Sequence, residues 1–326
     1  MIKIKENVPL SEWSSYRIGG PASYFFDAKD PEEIKEALEW AKKEKQPVFI
    51  LGGGTNLLID DKGFGGLVLK PSLNFIEAHS EEIEVGAGVK MHDLLNFTIK
   101  KGLSGLEWAG GLPGTFGGAL RGNAGAFKGE IKDIVRSVKG FDTETLKEVK
   151  RSQRECRFGY RSSIFKDKNG AEIILGATLR LKKGNQKEIQ KAVQEKIDYR
   201  LARHPMEYPN IGSIFKNVDV AQINADIARI NADTISVNPR GNQRISAFTA
   251  PVKVDPFPVV PTAYLISEAG LKGVTYGGAM VSPKHPNFIV NVLNAQAGEV
   301  RSLIELVKSE VKKKFEIELE EEVQLV

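Results

Sequence analysis

The sequence of 326 residues contains one cysteine, four histidines and no long apolar run. A single cysteine, Cys156, excludes an intrachain disulfide and a cysteine-cluster metal site, and the histidines are too scattered to form a metal site. No stretch approaches the roughly 18 apolar residues that a membrane helix needs, and residues 1–7 lack a signal-peptide apolar region. These absences predict a cytoplasmic protein without metal and without membrane insertion.

The sequence also has little excess of positive over negative charge. Lys and Arg number 46 against 42 Asp and Glu, a net charge of +4, and no long basic run is interleaved with aromatic residues. Nucleic acid is therefore not the expected partner. With 41% hydrophobic and 27% charged residues, the chain has a globular balance, and its length at about 150 residues per domain predicts two or three domains.

Glycine, in contrast, is abundant and clustered, with 32 residues. The first cluster follows a short apolar strand predicted over residues 46–51. Side-chain-free backbone at a strand end can form a nest of N–H groups for a diphosphate, although a tight turn remains an alternative. The spacing matches neither the dinucleotide-binding fingerprint nor the P-loop. The candidate cofactor-binding residues of this cluster are Gly52, Gly53, Gly54, Thr55 and Asn56.

A second and longer glycine cluster spans residues 110–126. Two such loops, each beside small polar residues, predict one extended phosphate-bearing ligand, and a dinucleotide such as FAD is long enough to need both. The candidate cofactor-binding residues of the second cluster are Gly111, Gly114, Thr115, Gly117, Gly118, Asn123, Ala124 and Gly125.

Periodicity and capping signals predict the regular elements. Helices are expected over residues 30–44, 91–101 (ending at Gly102), 187–202 and about 300–315; the further strands expected include 171–181, 287–293 and 318–326. Turn formers at 203–213 indicate a domain boundary. Residues 219–258 are predicted to be short pieces joined by turns.

Several motifs occur in an order that resembles one known family. They are the segments SSYRIGGPA from Ser14, FGYRSSIF from Phe158, GSIFKN from Gly212, LISEAGLKG from Leu265, SPKHPNFIVN from Ser282 and LEEEV from Leu319, together with both glycine clusters. On these motifs, nearly end to end, the chain closely resembles the UDP-N-acetylenolpyruvoylglucosamine reductases, the MurB family.

The resemblance implies an α+β architecture. Two subdomains of the vanillyl-alcohol-oxidase (PCMH) type, residues 1–71 and 72–203, hold FAD, and a C-terminal α+β domain, residues 204–326, binds substrate. The implied reaction uses NADPH to reduce the enolpyruvyl ether of UDP-N-acetylglucosamine to UDP-N-acetylmuramate for peptidoglycan precursors. Hydride passes from reduced FAD N5 to the enol ether carbon. The oligomeric state stays open, with a monomer favoured.

The resemblance also carries over site residues. Arg161 and Glu322 are expected to stabilise the enolate, with Glu322 as a proton donor or as a group that orients Arg161 or a water, and Ser213 is expected to protonate carbon. Substrate-binding candidates are Tyr160, Lys216 and Asn217. Without the resemblance, each catalytic candidate has a plainer interpretation as a turn residue, a loop ion pair or a solvated strand end.

Some positions depart from the family pattern. Gln324 stands where arginine is usual, Phe127-Lys128-Gly129 replaces tyrosine and glycines, and residues 219–258 are an insertion relative to compact members. Two alternatives are a flavin oxidase of small alcohols and a non-catalytic flavin-binding protein. The first often attaches FAD through a histidine in the first glycine loop, and residues 52–56 contain none; FAD is therefore expected to be non-covalent. Cys156 is predicted to be a small packed side chain, and His285 to be structural or near substrate.

Overall fold

The computed structural model of the protein describes residues 2–167, 170–221, 251–253 and 257–326. Most of the predicted 219–258 insertion therefore lies outside the described residues. Helices and strands are mixed throughout, which confirms the α+β class. No helix in the described ranges is both long and apolar enough to cross a membrane.

The N-terminal part forms a four-stranded sheet covered by one helix. Its elements are β1 (Lys5–Pro9), β2 (Pro21–Ala28), α1 (Pro31–Lys43), β3 (Val48–Ile50), β4 (Leu57–Leu58) and β5 (Phe64–Pro71). The sheet order is β1-β2-β5-β3, and β5 is parallel to both of its neighbours. The predicted first helix is confirmed: the Asp30 side chain accepts from Glu33 N at 2.9 Å, and the apolar face is buried against the sheet.

The middle part is built on an antiparallel five-stranded sheet of order β12-β11-β13-β7-β6. Its elements are β6 (Ile76–His79), β7 (Glu82–Gly86), α2 (Met91–Lys101), β8 (Leu103–Ser104), α3 (Phe116–Arg121), β9 (Gly125–Ala126), β10 (Gly129–Glu130), β11 (Val135–Asp142), β12 (Lys147–Ser152), α4 (Ile164–Asp167), β13 (Glu172–Arg180), β14 (Lys182–Lys183) and α5 (Gln186–Arg203). The predicted α2, α5 and β13 are confirmed, and Gly102 ends α2 in the left-handed region with φ +64°. The sequence does not predict β11 and β12.

The C-terminal part packs a long helix on a small three-stranded sheet of order β17-β18-β19. Its elements are β15 (Val218–Asp219), β16 (Val259–Val260), α6 (Thr262–Glu268), β17 (Thr275–Tyr276), β18 (Ala279–Val281), β19 (Ile289–Asn291), α7 (Ala297–Phe315) and β20 (Gln324–Leu325). The predicted last helix is confirmed, with its apolar face buried.

Two predicted strands are shorter than expected. The strand predicted over 287–293 covers only β19. The Asn287 backbone O accepts from Ile214 N at 2.8 Å, outside the sheet, and the Asn287 side-chain amide bonds both backbone groups of Phe215, at 3.0 and 2.8 Å. The strand predicted over 318–326 is wrong except for β20. Residues 320–323 instead form irregular bonds with the loop around Ile214, including Glu322 N to Ile214 O at 2.8 Å.

Candidate active site

The two glycine clusters pack directly against each other. A Cβ on Gly53 would lie 2.6 Å from Gly114 Cα, and a Cβ on Gly114 would lie 2.7 Å from Thr55 Oγ1. Gly54 has φ +65°, and a Cβ there would lie 1.9 Å from Trp13 O. The turn interpretation is therefore correct for Gly54, while Gly53 requires glycine because the Gly114 backbone lies against it. Gly114 requires glycine because its φ is +94° and the Thr55 side chain occupies the space of a Cβ.

The touching loops form one wall of a cleft of about 820 Å³, a volume within the range of small-molecule and cofactor sites. The cleft is lined by Glu12, Trp13, Ser14, Ser15, Gly52, Gly53, Lys70, Asn74, Ile76, Gly88, Val89, Lys90, His92, Asp93, Leu112, Pro113, Gly114 and Thr115. The backbone N–H groups of the lining residues Gly52, Gly53, Gly114 and Thr115 donate to no protein acceptor among the described residues. Free N–H groups on a cleft wall fit an anionic diphosphate, so these residues fit an FAD.

Four of the other cofactor candidates, all in the second cluster, contact protein groups. Asn123 is fully buried, and its amide bonds Glu130, Gly159 O and Lys132 N. Gly117 fits against Ala87, Gly118 N donates to the Thr115 hydroxyl, and Ala124 N donates to Ala119 O. These four residues shape the second loop from inside, although they do not line the cleft.

Arg161 sits in a tight turn that points toward the C-terminal part. Gly159 and Ser162 exchange backbone hydrogen bonds of 3.0 and 3.3 Å, and Arg161 between them has φ +53°. Its Nη2 donates to Gly125 O at 3.1 Å, which fastens the side chain to the second glycine cluster. Burial by itself lowers the pKa of Arg161, but Glu322 and, less strongly, Tyr160 raise that pKa above its ordinary value.

Glu322 meets Arg161 from the C-terminal segment. The two atoms Arg161 Nε and Glu322 Oε1 lie 2.7 Å apart, although the N–H is not aligned for a hydrogen bond. The contact is therefore an ion pair. Both side chains are mostly buried, with 24% and 20% of their surfaces exposed, so water screens the pair less than it would a surface pair.

Ser213 lies on a loop that its neighbour Ile214 joins to the Glu322 backbone. Ile214 O accepts from Glu322 N at 2.8 Å and from Val323 N at 3.3 Å, so the serine loop lies beside the Glu322 backbone. Gly212, with φ +83°, makes the turn just before it. The Ser213 hydroxyl has no hydrogen-bond partner in the part of the chain that the structure describes. The three catalytic candidates thus converge on one region.

The substrate candidates flank this region. Tyr160 Oη accepts from Asn217 N at 3.4 Å, and burial raises the pKa of Tyr160. Lys216 forms an ion pair with Glu320, and the side-chain Oδ1 of Asn217 accepts from Thr262 N at 3.2 Å. All three therefore have protein partners near the Arg161–Glu322 pair.

Comparison with known proteins identifies the family. Residues 204–326 match the C-terminal domain of UDP-N-acetylenolpyruvoylglucosamine reductase, and residues 22–144 match an FAD binding domain. Reductases of this name from Anoxybacillus flavithermus and Listeria monocytogenes are 35% and 36% identical, over 99% and 100% of this chain and 94% and 95% of theirs. The chain belongs to the UDP-N-acetylenolpyruvoylglucosamine reductase family. It is an FAD-dependent oxidoreductase.

A solved structure of this family has the same overall fold. The UDP-N-acetylenolpyruvylglucosamine reductase of Thermus caldophilus aligns with a TM-score of 0.74 and 28% identity, over 100% of this chain and 99% of that chain. The likeness covers both the FAD-binding part and the C-terminal part. The predicted residue roles and the predicted domain limits remain predictions.

The sequence analysis did not predict two cationic side chains near Arg161. Lys166 Nζ donates to Arg161 O at 3.1 Å, and burial, followed by nearby Lys216 and Arg121, lowers the pKa of Lys166. Arg200 Nε donates to Gly110 O at 2.8 Å, while its buried Nη2 has no partner among the described residues. A helical cation usually signals a solvated face, so no sequence signal marks either residue.

Two other sequence predictions concern single buried side chains. Cys156 is fully buried, and burial raises its thiol pKa to about 12, which confirms a packed side chain. His285 packs on His204 and Phe288, with ring centroids 5.2 and 4.8 Å away. These contacts support the structural interpretation of His285.

Proposed function

We propose that this protein reduces the enolpyruvyl ether of UDP-N-acetylglucosamine to UDP-N-acetylmuramate, with NADPH as reductant and FAD held non-covalently. The observation that carries the proposal is the Arg161–Glu322 ion pair, formed beside the serine loop where the second glycine cluster meets the C-terminal segment. The resemblance in motifs supports the substrate and NADPH.

The chemistry assigns a role to Arg161. When FAD is bound, it supplies the hydride that adds to the enol ether carbon. Negative charge then develops on the adjacent carbon and spreads into the substrate carboxylate. A guanidinium that stays charged and offers two parallel donors stabilises that charge. The ion pair and the bond to Gly125 O hold Arg161 in position before substrate arrives.

Ser213 and Glu322 complete the proposed site. The unpartnered Ser213 hydroxyl is free to give its proton to the carbon that carries the developing charge. A bare carboxylate beside an enolate would repel it. Glu322 therefore acts through its pairing with Arg161, which offsets its charge and orients the guanidinium.

The proposal extends to the cellular location and the oligomeric state. NADPH and nucleotide sugars are cytoplasmic metabolites, so a cytoplasmic location is proposed. One chain supplies Arg161, Ser213 and Glu322, so a monomer is sufficient.

Flavin absorbance tests the function directly. The purified yellow protein should lose its absorbance near the flavin maximum with NADPH under anaerobic conditions and regain it with the enolpyruvyl substrate. The control is UDP-N-acetylglucosamine, which lacks the enol ether and should leave the flavin reduced. Rapid recolouring by oxygen after reduction with small alcohols, and none by the enolpyruvyl substrate, would establish the oxidase alternative instead.

A further inference from the structure

The side chain of Asn56 reaches the backbone of Glu322. Asn56 closes the first glycine loop, and its Nδ2 donates to Glu322 O at 3.0 Å. Its backbone O accepts from Gln324 N at 3.1 Å. The peptide that carries the Glu322 carboxylate is therefore tied to the first glycine loop by two hydrogen bonds from one residue.

The same segment is fixed on its other side by the serine loop. Glu322 N donates to Ile214 O at 2.8 Å. Beyond Glu322, β20 runs parallel to β4, with Gln324 opposite Leu57 and Leu325 opposite Leu58. Of these contacts, only the bond from Asn56 Nδ2 to Glu322 O uses a side chain to hold the Glu322 backbone; the others join backbone groups.

Asn56 is separate from the cofactor wall of its own loop. Gly52 and Gly53 line the cleft, whereas Asn56 is not among the lining residues. Its amide nitrogen donates to Glu322 O. The described side-chain contact of Asn56 is therefore with the C-terminal segment, and its cofactor-binding role stays a prediction.

We propose that Asn56 is a positioning residue that holds the Glu322 peptide so that its carboxylate meets Arg161. This inference rests on the proposed role of Glu322. The first glycine loop would then serve both sites, because Gly52 and Gly53 line the cleft and Asn56 holds the Glu322 peptide. Asn56 acts through Glu322 and does not touch the reacting atoms.

The expected size of the effect follows from geometry. One neutral hydrogen bond contributes only about 1 kcal/mol to stability, so the fold should survive its loss. A displacement of about 1 Å at a catalytic group can cost about 10²-fold in rate. Loss of the Asn56 amide should therefore affect the substrate step far more than it affects folding.

The test compares Asn56→Ala and Asn56→Asp with Asn96→Ala, an exposed position on α2. The Asp variant keeps the shape but cannot donate to a carbonyl. In stopped-flow experiments, flavin reduction by NADPH should stay within about threefold in all variants. Reoxidation by the enolpyruvyl substrate should slow by about 10- to 100-fold in both Asn56 variants and stay unchanged in the control. A raised FAD Kd with equal slowing of both half-reactions would overturn the proposal and make Asn56 a cofactor ligand.

A double variant separates positioning from a merely structural role. If Asn56 acts through Glu322, then Asn56→Ala added to Glu322→Gln should slow reoxidation by less than about threefold further, because coupled residues are not additive. An undiminished effect in the Glu322→Gln background would overturn the proposal.

Amide hydrogen exchange tests the contact between Asn56 and Glu322 without any measurement of enzyme activity. In the FAD-loaded protein, peptides covering 319–326 should exchange about 5- to 10-fold faster in Asn56→Ala than in the parent, the equivalent of about one lost hydrogen bond. Unchanged exchange would refute the contact. If exchange rises while the parent protein fails to act on the enolpyruvyl substrate, the proposed function fails and the Asn56 contact stands.

Discussion

At the scale of single residues, the candidate site depends on groups that backbone contacts hold in place. Arg161 is anchored to Gly125 O, and Glu322 is anchored by Ile214 and Asn56. Ser213 is different, because its hydroxyl has no partner in the described ranges. Its loop contacts the Glu322 backbone through Ile214 O, so removal of the Ser213 hydroxyl should not disturb the ion pair.

The first residue prediction concerns Ser213→Ala. The variant should fold and bind FAD, since the change removes one oxygen from a half-buried loop residue. Flavin reduction by NADPH should stay within about threefold, whereas reoxidation by substrate should fall by about 10²–10⁴-fold, the usual contribution of a general acid. Stopped-flow absorbance measures both steps. In Ser213→Cys, whose thiol can still supply a proton, reoxidation should be as slow as in Ser213→Ala or slightly faster. Equal slowing of both steps would show instead that Ser213 positions the flavin.

The second residue prediction concerns Arg161→Lys. Lysine keeps the charge but lacks the planar fork that meets Gly125 O, Glu322 and a carboxylate together. Reoxidation by substrate should slow by about 10²-fold, comparable to the loss of one oxyanion donor, with the FAD Kd unchanged. Half-reaction kinetics and flavin fluorescence check this. A variant with parental reoxidation would show that point charge alone is sufficient.

At the scale of elements, the two glycine loops are a single packed unit. Gly53 meets the Gly114 backbone, and the free N–H groups of both loops face one cleft. Neither loop is a regular helix or strand at this contact. Their conformation therefore depends on the mutual fit of the two backbones.

The element prediction is that Gly53→Ala disrupts this unit. Its Cβ would lie 2.6 Å from Gly114 Cα, and overpacking against backbone typically costs about 1–3 kcal/mol. Thermal unfolding should occur at a lower Tm, and the FAD Kd should rise by about tenfold or more, because a cost of about 1.4 kcal/mol is tenfold. Gly65→Ala is the matched control, since nothing lies within 4 Å of its added Cβ. Equal behaviour of the two variants would contradict the loop contact.

At the scale of the whole molecule, the C-terminal part is joined to the rest at buried polar and aromatic contacts. Tyr16 Oη donates to Ile289 O at 2.8 Å, and the Asn291 amide donates to Tyr16 O at 3.0 Å. His204, just beyond α5, packs on His285 and Phe288 of the C-terminal part. The two histidine rings therefore lie at this junction, 5.2 Å apart between centroids.

The whole-molecule prediction is a loss of stability in mild acid. Burial, followed by nearby His285, Arg200 and Lys284, lowers the pKa of His204 to about 4, and burial lowers the pKa of His285 to about 4. Below about pH 6.5 the unfolded chain binds protons that the folded chain does not. The free energy of unfolding should therefore be highest above about pH 6.5 and fall from there toward pH 5, where carboxylates are still ionised.

Tm measured across that pH range tests the assignment. His285→Gln should show a shallower fall of Tm with decreasing pH than the parent. His79→Gln, at an exposed position, should keep the parental slope. Identical slopes in all three proteins would mean that the histidine pair does not cause the acid sensitivity.

The sequence by itself determined the elements whose signals are local. A cap, a proline and an apolar stripe specify α1, Gly102 ends α2, and α7 follows from its periodic face. The ordered motifs likewise indicated the family and the residues Arg161, Ser213 and Glu322. These features are encoded within a few turns of chain, where periodicity and capping act.

Only the tertiary structure decided how those residues meet. Residues 318–323 have strand-like sequence, but their backbone groups bond the serine loop, and this placement brings Glu322 to Arg161. Gly53 and Asn56 are neighbours in one loop, yet one touches the second glycine loop and the other touches Glu322. Long-range backbone hydrogen bonds and steric fit have no local sequence signature, because both partners must be folded before either contact exists.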